Sequence, residues 1–151
     1  MRMEMTFPGG VAVDAQYKGH TIHTDQPTTH GGGGTAPAPF DLFLASIGTC
    51  AGFYALRFCQ QRELPTEGLR VALETEKNEG RVAVVRLEVE LPEAFPDKYH
   101  AALVRAIDQC TVKKHIVEPP EFEVDLLVRE ESAVATAAVA GAAQPPGRNT
   151  Q

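Results

Sequence analysis

One segment of the chain, residues 42–56, runs for 15 residues in a helical pattern without a charged side chain. Apolar residues cover nearly the whole circumference of this predicted helix up to Phe58, and a helix of that kind has to be enclosed by other elements. It is shorter than the roughly 20 residues that cross a membrane. We therefore interpret it as a buried core helix, which Pro39 begins and Pro65 ends.

Segments with strand patterns lie on both sides of this helix. Residues 11–17 alternate apolar and polar side chains, and residues 20–24 return after a Lys18-Gly19 turn, which is typical of a hairpin. Residues 69–76 and 82–91 form a second predicted hairpin, because the later segment is rich in β-branched residues. Strands that cluster in hairpins predict a mostly antiparallel sheet packed on helices, which is an α+β fold.

A second, shorter helix is predicted after Pro96. Its apolar residues recur at helical spacing and form one stripe, which consists of Tyr99, Ala102, Leu103, Ala106, Ile107 and Cys110. Residues 122–128 then alternate as a last strand. The pattern predicts a single domain over residues 1–128, followed by an Ala- and Pro-rich tail over residues 129–151 that we expect to be disordered or marginally helical.

The charge and the cysteine content restrict the function classes. A net charge of −6 and a pI near 5.3 disfavour binding to nucleic acid or to an anionic membrane surface. The first residues contain no apolar stretch of the secretory type, so we expect a cytoplasmic protein. Three cysteines without a CxxC pair argue against a structural disulfide framework, and the thiols should be reduced at rest.

Two other motifs do not support a ligand site. The run Gly31–Gly34 is not followed by the Gly-Lys-Ser/Thr of a phosphate loop, so we interpret it as a flexible connection. His20 and His23 are three residues apart on a predicted strand and point to opposite faces, and the spacing of a zinc site is missing. We therefore expect no metal.

The cysteines themselves allow two interpretations. Cys50 lies in the middle of the apolar helix, where a free cysteine is usually a small core residue. Cys110 is followed at once by Lys113, Lys114 and His115, whose positive charges would favour a thiolate. Both cysteines lie on apolar helix faces and could meet within disulfide range. Cys59 is nine residues after Cys50, about half a turn away in azimuth, and is expected to be structural or partly exposed.

The segments PFDLFLASIGTC and IDQCTVKKHI, in this order and with paired strands between them, resemble the two cysteine motifs of the OsmC/Ohr family in its YhfA-like branch. The resemblance covers residues 1–128. It implies an intertwined homodimer with active sites at the subunit interface, and a peroxidatic Cys50 with a resolving Cys110. It further implies reduction of organic hydroperoxides, an external dithiol as reductant, and neither metal nor flavin.

Two positions depart from the family pattern. Peroxidase members carry an arginine near the first hairpin turn, where this chain has Lys18, which supplies charge but not the planar guanidinium. They also carry a glutamate near the start of the cysteine helix, and Asp41 is the nearest match. On an ideal helix Asp41 lies roughly 13 Å along the axis from Cys50, so complementing the helix N-terminus is an equally good role for it.

Three hypotheses therefore remain open. A thiol-dependent hydroperoxide reductase, active in oxidative-stress defence, predicts an acidic Cys50 and a Cys50–Cys110 disulfide after peroxide treatment. A non-enzymatic module that binds a small apolar molecule predicts inert thiols. A protein with purely structural cysteines predicts that Cys50→Ala and Cys110→Ala change stability alone.

Overall fold

The structure is a computed structural model that describes residues 1–128. The tail predicted over residues 129–151 lies outside the described residues. Met1–Pro120 form one compact unit, and the segment from Glu121 onward belongs to a second unit, which is described by itself below.

The chain begins with a three-stranded antiparallel sheet. It consists of β1 (Glu4–Gly9), β2 (Ala12–Tyr17) and β3 (His20–Thr24), in the order β1-β2-β3. The predicted hairpin is confirmed, and its turn places Lys18 and Gly19 at φ values of 48° and 79°, as a tight two-residue connection requires. Strand β1 was not predicted, because its sequence EMTFPG contains a proline and a glycine that are depleted in strands.

The long helix α1 spans Pro39–Gln60. Its N-terminus is closed by Asp41, whose Oδ2 accepts a hydrogen bond of 3.0 Å from the Ala38 amide. Toward its C-terminal half, Ala51, Ala55 and Cys59 are fully buried. Small side chains at these positions let the neighbouring helix approach closely.

The sequence predicted that other elements would enclose α1 on all sides. Among the described residues this prediction is wrong, because part of the helix surface is exposed. Phe53 is 56% exposed and Phe40 is 51% exposed, and Phe43 and Leu56 are also accessible. The sequence pattern shows only that the helix is apolar on all sides. The described residues supply packing partners for one side of the helix, so the remaining apolar side chains face outward.

The full length of α1 also changes the comparison with membrane spans. With 22 residues and a mean hydropathy of 1.5 in its most apolar window, α1 could cross a membrane by length and composition alone. A core helix of a globular protein has the same properties. We interpret α1 as a core helix, because its buried side chains belong to the central hydrophobic cluster of the domain.

The second predicted hairpin is confirmed. Strand β4 (Arg70–Asn78) pairs antiparallel with β5 (Arg81–Glu90) and forms a separate two-stranded sheet. Their turn at Glu79-Gly80 has positive φ at both residues. This hairpin packs against α1.

Two short helices complete the domain. Helix α2 (His100–Ile107) follows a 3₁₀ turn at Asp97–Tyr99, and α3 (Thr111–Val117) follows α2 almost directly. The stripe predicted for one helix is therefore interrupted, and Cys110 lies in the break rather than on α2. The periodicity continued across the break because the chain turns without leaving the core, as the burial of Leu103, Ile107 and Cys110 shows.

The hydrophobic core lies between α1 and α2. Phe58 of α1 packs edge-to-face on Tyr99, with ring centroids 6.1 Å apart. The buried cluster consists of Ala51, Ala55, Phe58, Cys59, Phe95, Leu103 and Ile107.

Residues 121–128 form no strand, which corrects the strand predicted over residues 122–128. The side chains of Phe122, Val124 and Leu126 are almost fully exposed. An alternating pattern gives a strand only where a neighbouring strand supplies hydrogen bonds, and none pairs with this segment among the described residues.

Candidate functional site

The structure brings Cys50 and Cys110 together. Cys50 projects half-buried from the middle of α1, while Cys110 is 1% exposed in the break between α2 and α3. Their thiols lie close enough for each to change the pKa of the other. Residues 60 positions apart in the sequence thus form one thiol pair, and both thiols are free.

The first turn of α3 surrounds this pair with backbone donors. Cys110 is the N-terminal cap of α3, and its Sγ accepts a hydrogen bond of 3.5 Å from the Lys113 amide. The amides of Val112 and Thr111 lie near enough to Cys50 to lower its pKa. These amides have no partner within the helix, because the first N–H groups of a helix lie ahead of its hydrogen-bond ladder.

The environment of Cys50 favours its thiolate. Burial raises the pKa of Cys50, but the hydrogen bonds from the Cys110 thiol and from the amides of Val112 and Thr111 together outweigh burial. The pKa of Cys50 is therefore lowered from its ordinary value. Donors that point at a sulfur stabilise the charged form more than the neutral form.

Cys110 has the opposite character. Burial raises its pKa, and the hydrogen bond to Cys50 raises it further, because Cys110 acts as the donor of that bond. The Lys113 amide lowers the pKa only in part. When the pair carries one negative charge, that charge is therefore favoured on Cys50 and the remaining proton on Cys110.

The basic residues after Cys110 act differently from the sequence-based expectation. Lys113 Nζ pairs with Asp108 Oδ1 at 2.5 Å, and Lys114 Nζ donates to a glutamine oxygen at 2.8 Å. His115 Nδ1 lies 2.8 Å from the Thr111 carbonyl oxygen. Their positive charges were expected to favour the thiolate of Cys110. That expectation is wrong, because burial and the neighbouring Cys50 raise the pKa of Cys110.

Lys18 and Asp41 are not brought into the thiol pair. Lys18 lies in the β2–β3 turn, with its Nζ 5.2 Å from the centroid of the Tyr17 ring. Asp41 is engaged with the Ala38 amide at the start of α1. Neither is among the described groups that interact with the Cys50 thiol. Their participation in catalysis stays a prediction, and no nearby cation replaces the family arginine within this subunit's described residues.

Cys59 lies on α1 nine residues beyond Cys50, and Cys50 is not among the groups that change its pKa. It is fully buried, and burial raises its pKa despite the partial opposing effect of Arg62. The guanidinium of Arg62 stacks on the Phe58 ring at 3.9 Å and covers this end of the core. Cys59 therefore behaves as a small apolar core residue.

Two residues next to the pair were missed in the sequence. The Tyr54 hydroxyl and Thr111 Oγ1 are 3.2 Å apart, which joins α1 to the start of α3. Their positions offered a signal. Tyr54 follows Cys50 by four residues and so shares its helix face, and Thr111 directly follows Cys110.

The glycine-rich segment is organised around Asp25, which the sequence analysis also missed. This carboxylate is 4% exposed and accepts hydrogen bonds from the amides of Gln26, Gly33 and Thr35 and from the Thr35 hydroxyl, over 2.7–3.1 Å. The bonds from Thr35 do most to lower the pKa of Asp25. A Cβ at Gly32 would lie 1.8 Å from the Gln26 oxygen, so only glycine fits there. The segment is a specific turn structure rather than a featureless connection.

An apolar cavity of about 390 Å³ lies between α1, β5 and the two short helices. Ile47 and Ile107, which line it, stand three residues before Cys50 and Cys110 respectively. The Asp108–Lys113 ion pair also lines the cavity. An apolar molecule in this cavity would lie within about one helical turn of the thiol pair.

The hairpins, the central helix and the buried thiol pair define a small α+β protein with a two-cysteine site. Residues 31–125 match the family model described as OsmC-like protein, which covers more than half of the chain. The chain belongs to the OsmC-like protein family.

Solved structures share this fold. An osmotic stress induced and detoxification response protein from Psychrobacter arcticus is 22% identical, with a TM-score of 0.62 over 74% of this chain and 85% of the other. An organic hydroperoxide resistance protein from Vibrio cholerae, with captopril bound in one of its active sites, is 21% identical, with a TM-score of 0.51 over 77% and 84%. No protein with a curated description matches the sequence significantly. Membership of the YhfA-like branch stays a prediction.

Proposed function

We propose that the protein reduces organic hydroperoxides through Cys50, with Cys110 as the resolving thiol. The observation that carries this proposal is the unequal thiol pair, in which Cys50 has a lowered pKa and the adjacent Cys110 a raised one. A peroxidatic cysteine has to be a nucleophilic thiolate, whereas a resolving cysteine can wait as a thiol within bonding reach.

The first step is attack of the Cys50 thiolate on the terminal oxygen of the hydroperoxide. An S–O bond forms and the O–O bond breaks, so that Cys50 becomes a sulfenic acid and the peroxide leaves as an alcohol after protonation. The sulfur is oxidised by two electrons and the peroxide is reduced by two. Half-burial of Cys50 leaves the sulfur accessible to a small substrate.

The second step is condensation of the Cys50 sulfenic acid with the Cys110 thiol. An S–S bond forms, and the hydroxyl group of the sulfenic acid leaves with the Cys110 proton as water. An external dithiol then reduces the disulfide by two successive exchange reactions and is itself oxidised to a disulfide. Among the chain's own atoms, these two sulfurs are the ones that change oxidation state in the cycle.

Membership of the OsmC-like family and the printed description of the Vibrio cholerae neighbour support a role in hydroperoxide resistance. We infer a cytoplasmic location, where a pool of reducing thiols supplies the external dithiol. The net charge of −6 supports neither nucleic acid nor an anionic membrane as a partner.

Addition of one equivalent of cumene hydroperoxide to the reduced protein is expected to join Cys50 to Cys110 within seconds. Trypsin cuts after Lys18, Arg57, Arg105 and Lys113, so Cys50 and Cys110 lie alone in peptides 19–57 and 106–113. Alkylation of the remaining thiols followed by mass spectrometry should show these two peptides linked.

Cys59 provides an internal control in this experiment, because it lies in the separate peptide 58–62 and should remain alkylatable once the protein is unfolded. Thiols that stay unreacted for many minutes in excess peroxide would contradict the proposal.

The cavity supports a second candidate function, the binding of a small apolar molecule without turnover. Its lining is mostly aliphatic, and aliphatic cavities of this size can hold drug-sized ligands. The peroxide experiment separates the two functions, because a binding module leaves the thiols inert.

We infer further that the protein is a homodimer. The exposed aromatic residues Phe40, Phe43 and Phe53 on α1 form apolar surface of the kind that a second copy covers, and the family resemblance supports the same partner. We expect a dimer mass, about twice 16.3 kDa, in size-exclusion chromatography with light scattering.

Replacing Phe53 by lysine should shift this dimer toward the monomer, because the change places a charge in the inferred contact. Replacing the equally apolar Val117, which lies on the exposed side of α3, by lysine serves as the control. A wild-type protein that is monomeric at micromolar concentration would contradict the inference.

A further inference from the structure

The contact between Tyr54 and Thr111 links the two elements that carry the thiol pair. Tyr54 lies one turn beyond Cys50 on α1, and its hydroxyl is 3.2 Å from Thr111 Oγ1 in the first residue of α3. These two residues are 57 positions apart, whereas, outside the thiol pair, the other side-chain hydrogen bonds among residues 1–128 join residues at most 16 positions apart.

Thr111 has two functions in this geometry. Its hydroxyl meets Tyr54, while its own amide and that of Val112 lower the pKa of Cys50. The Tyr54–Thr111 hydrogen bond therefore ties the first turn of α3 to α1, four residues beyond Cys50. A short helix of seven residues is only marginally stable by itself, so such tertiary contacts decide where its first turn lies.

We propose that Tyr54 is a positioning residue for the reactive thiol. Its hydroxyl, through Thr111, fixes the first turn of α3 so that the Thr111 and Val112 amides remain directed at Cys50. The proposal rests on the proposed function in that it takes Cys50 as the reactive thiol, and it adds a residue that touches neither sulfur nor substrate.

No charged side chain among the described residues is a cause of the lowered pKa of Cys50. The titratable group that interacts with Cys50 is Cys110, on the loop before α3. On α3 itself, Lys113 and Lys114 are engaged by Asp108 and Gln109. Among the described residues, the groups that lower the pKa of Cys50 are therefore the Cys110 thiol and then the amides of Val112 and Thr111.

The test is the pH dependence of Cys50 alkylation by iodoacetamide in the fully reduced protein, read from peptide 19–57. In Tyr54→Phe, which keeps the ring and removes the hydroxyl, the midpoint should rise by about half to one pH unit, the effect of weakening one hydrogen bond to a charged sulfur. Thr111→Val should give the same rise, whereas Thr111→Ser, which keeps the hydroxyl, should restore the wild-type midpoint.

The double variant Tyr54→Phe/Thr111→Val should show no further rise, because both changes break the same contact. Tyr99→Phe is the matched control, since Tyr99 packs against Phe58 on the other side of the core. A Tyr54→Phe midpoint equal to that of the wild type, even with a lowered melting temperature, would overturn the proposal, as would additive shifts in the double variant.

Alkylation needs no peroxide, so the positioning role of Tyr54 can be tested independently of hydroperoxide reduction. A low Cys50 midpoint that rises in Tyr54→Phe supports the positioning role even if the wild-type protein ignores hydroperoxides. A protein that forms the Cys50–Cys110 disulfide normally in Tyr54→Phe, with an unmoved alkylation midpoint, retains the proposed function and loses this inference.

Discussion

Replacement of Cys50 by serine is expected to abolish hydroperoxide reduction, with a loss on the order of a thousandfold or more. A serine hydroxyl does not ionise near neutral pH, so the hydrogen bonds that stabilise the Cys50 thiolate would surround a weak nucleophile. The measurement is the consumption of cumene hydroperoxide with dithiothreitol as the external dithiol.

The matched control for this variant is Cys59→Ala, which also removes one thiol. Cys59 is fully buried and faces the α2 side of α1, so its loss should reduce stability and leave the specific rate of the folded protein unchanged. Equal losses of rate in the two variants would contradict the assignment of Cys50, because they would indicate a general effect of cysteine removal.

The pH dependence of the wild-type rate gives a further check on the same prediction. Because the pKa of Cys50 is lowered, the rate should rise with pH through that lowered pKa and then level off below the ordinary range of a thiol. A rate that continued to rise through the ordinary thiol range would indicate that Cys50 reacts from an unperturbed thiol.

Local patterns in the sequence were sufficient to predict most of the secondary structure. The hairpins at β2–β3 and β4–β5 and the helix α1 were predicted from alternation, turn residues and helical spacing. Each of these signals is local, because neighbouring residues alone decide which face a side chain takes. The α+β class and the OsmC-like family followed from the order of these elements and from the two cysteine motifs.

Errors arose where the outcome depended on contacts distant in sequence. The stripe that ends at Cys110 keeps helical spacing across a real break, because core burial is the same on both sides of it. The alternation of residues 122–128 describes a surface that can pair, while pairing itself depends on a neighbour. The apolar circumference of α1 likewise does not show whether one chain or two supply its cover.

The two cysteines of the site could be predicted from the sequence, whereas the groups that shift their pKa values could not. Cys50 and Cys110 were selected from motifs, and the family resemblance already implied a reactive Cys50. The groups that lower its pKa, namely Cys110 and the amides of Val112 and Thr111, were not predictable from the sequence. The basic run after Cys110 instead favoured a thiolate at Cys110. Charge in the sequence is a poor guide here, because Lys113 is paired with Asp108.

Replacement of Cys110 should stop the cycle after its first step, and two variants distinguish the functions of this residue. In Cys110→Ser the hydroxyl can still donate to Cys50 and accept from the Lys113 amide, so attack on the first equivalent of peroxide should remain fast. No disulfide can form, so the sulfenic acid should accumulate as a mass increase of about 16 Da.

In Cys110→Ala both functions are lost. The donor to Cys50 is absent, so the pKa of Cys50 should rise and the first step should slow together with Cys50 alkylation. Removal of the α3 cap should also lower the free energy of unfolding by about 1 kcal/mol. The serine variant keeps the cap, which makes it the control for this effect.

Steady-state turnover with dithiothreitol should fall on the order of tenfold in both variants, because the dithiol then has to reach a half-buried sulfenic acid instead of a disulfide. Excess peroxide should oxidise Cys50 further, to the sulfinic acid, in Cys110→Ser and not in the wild type. The variant has no resolving thiol that could convert the sulfenic acid into a disulfide first. Wild-type turnover in Cys110→Ser would show that resolution comes from another thiol, and Cys110 would then remain only the hydrogen-bond donor that keeps Cys50 charged.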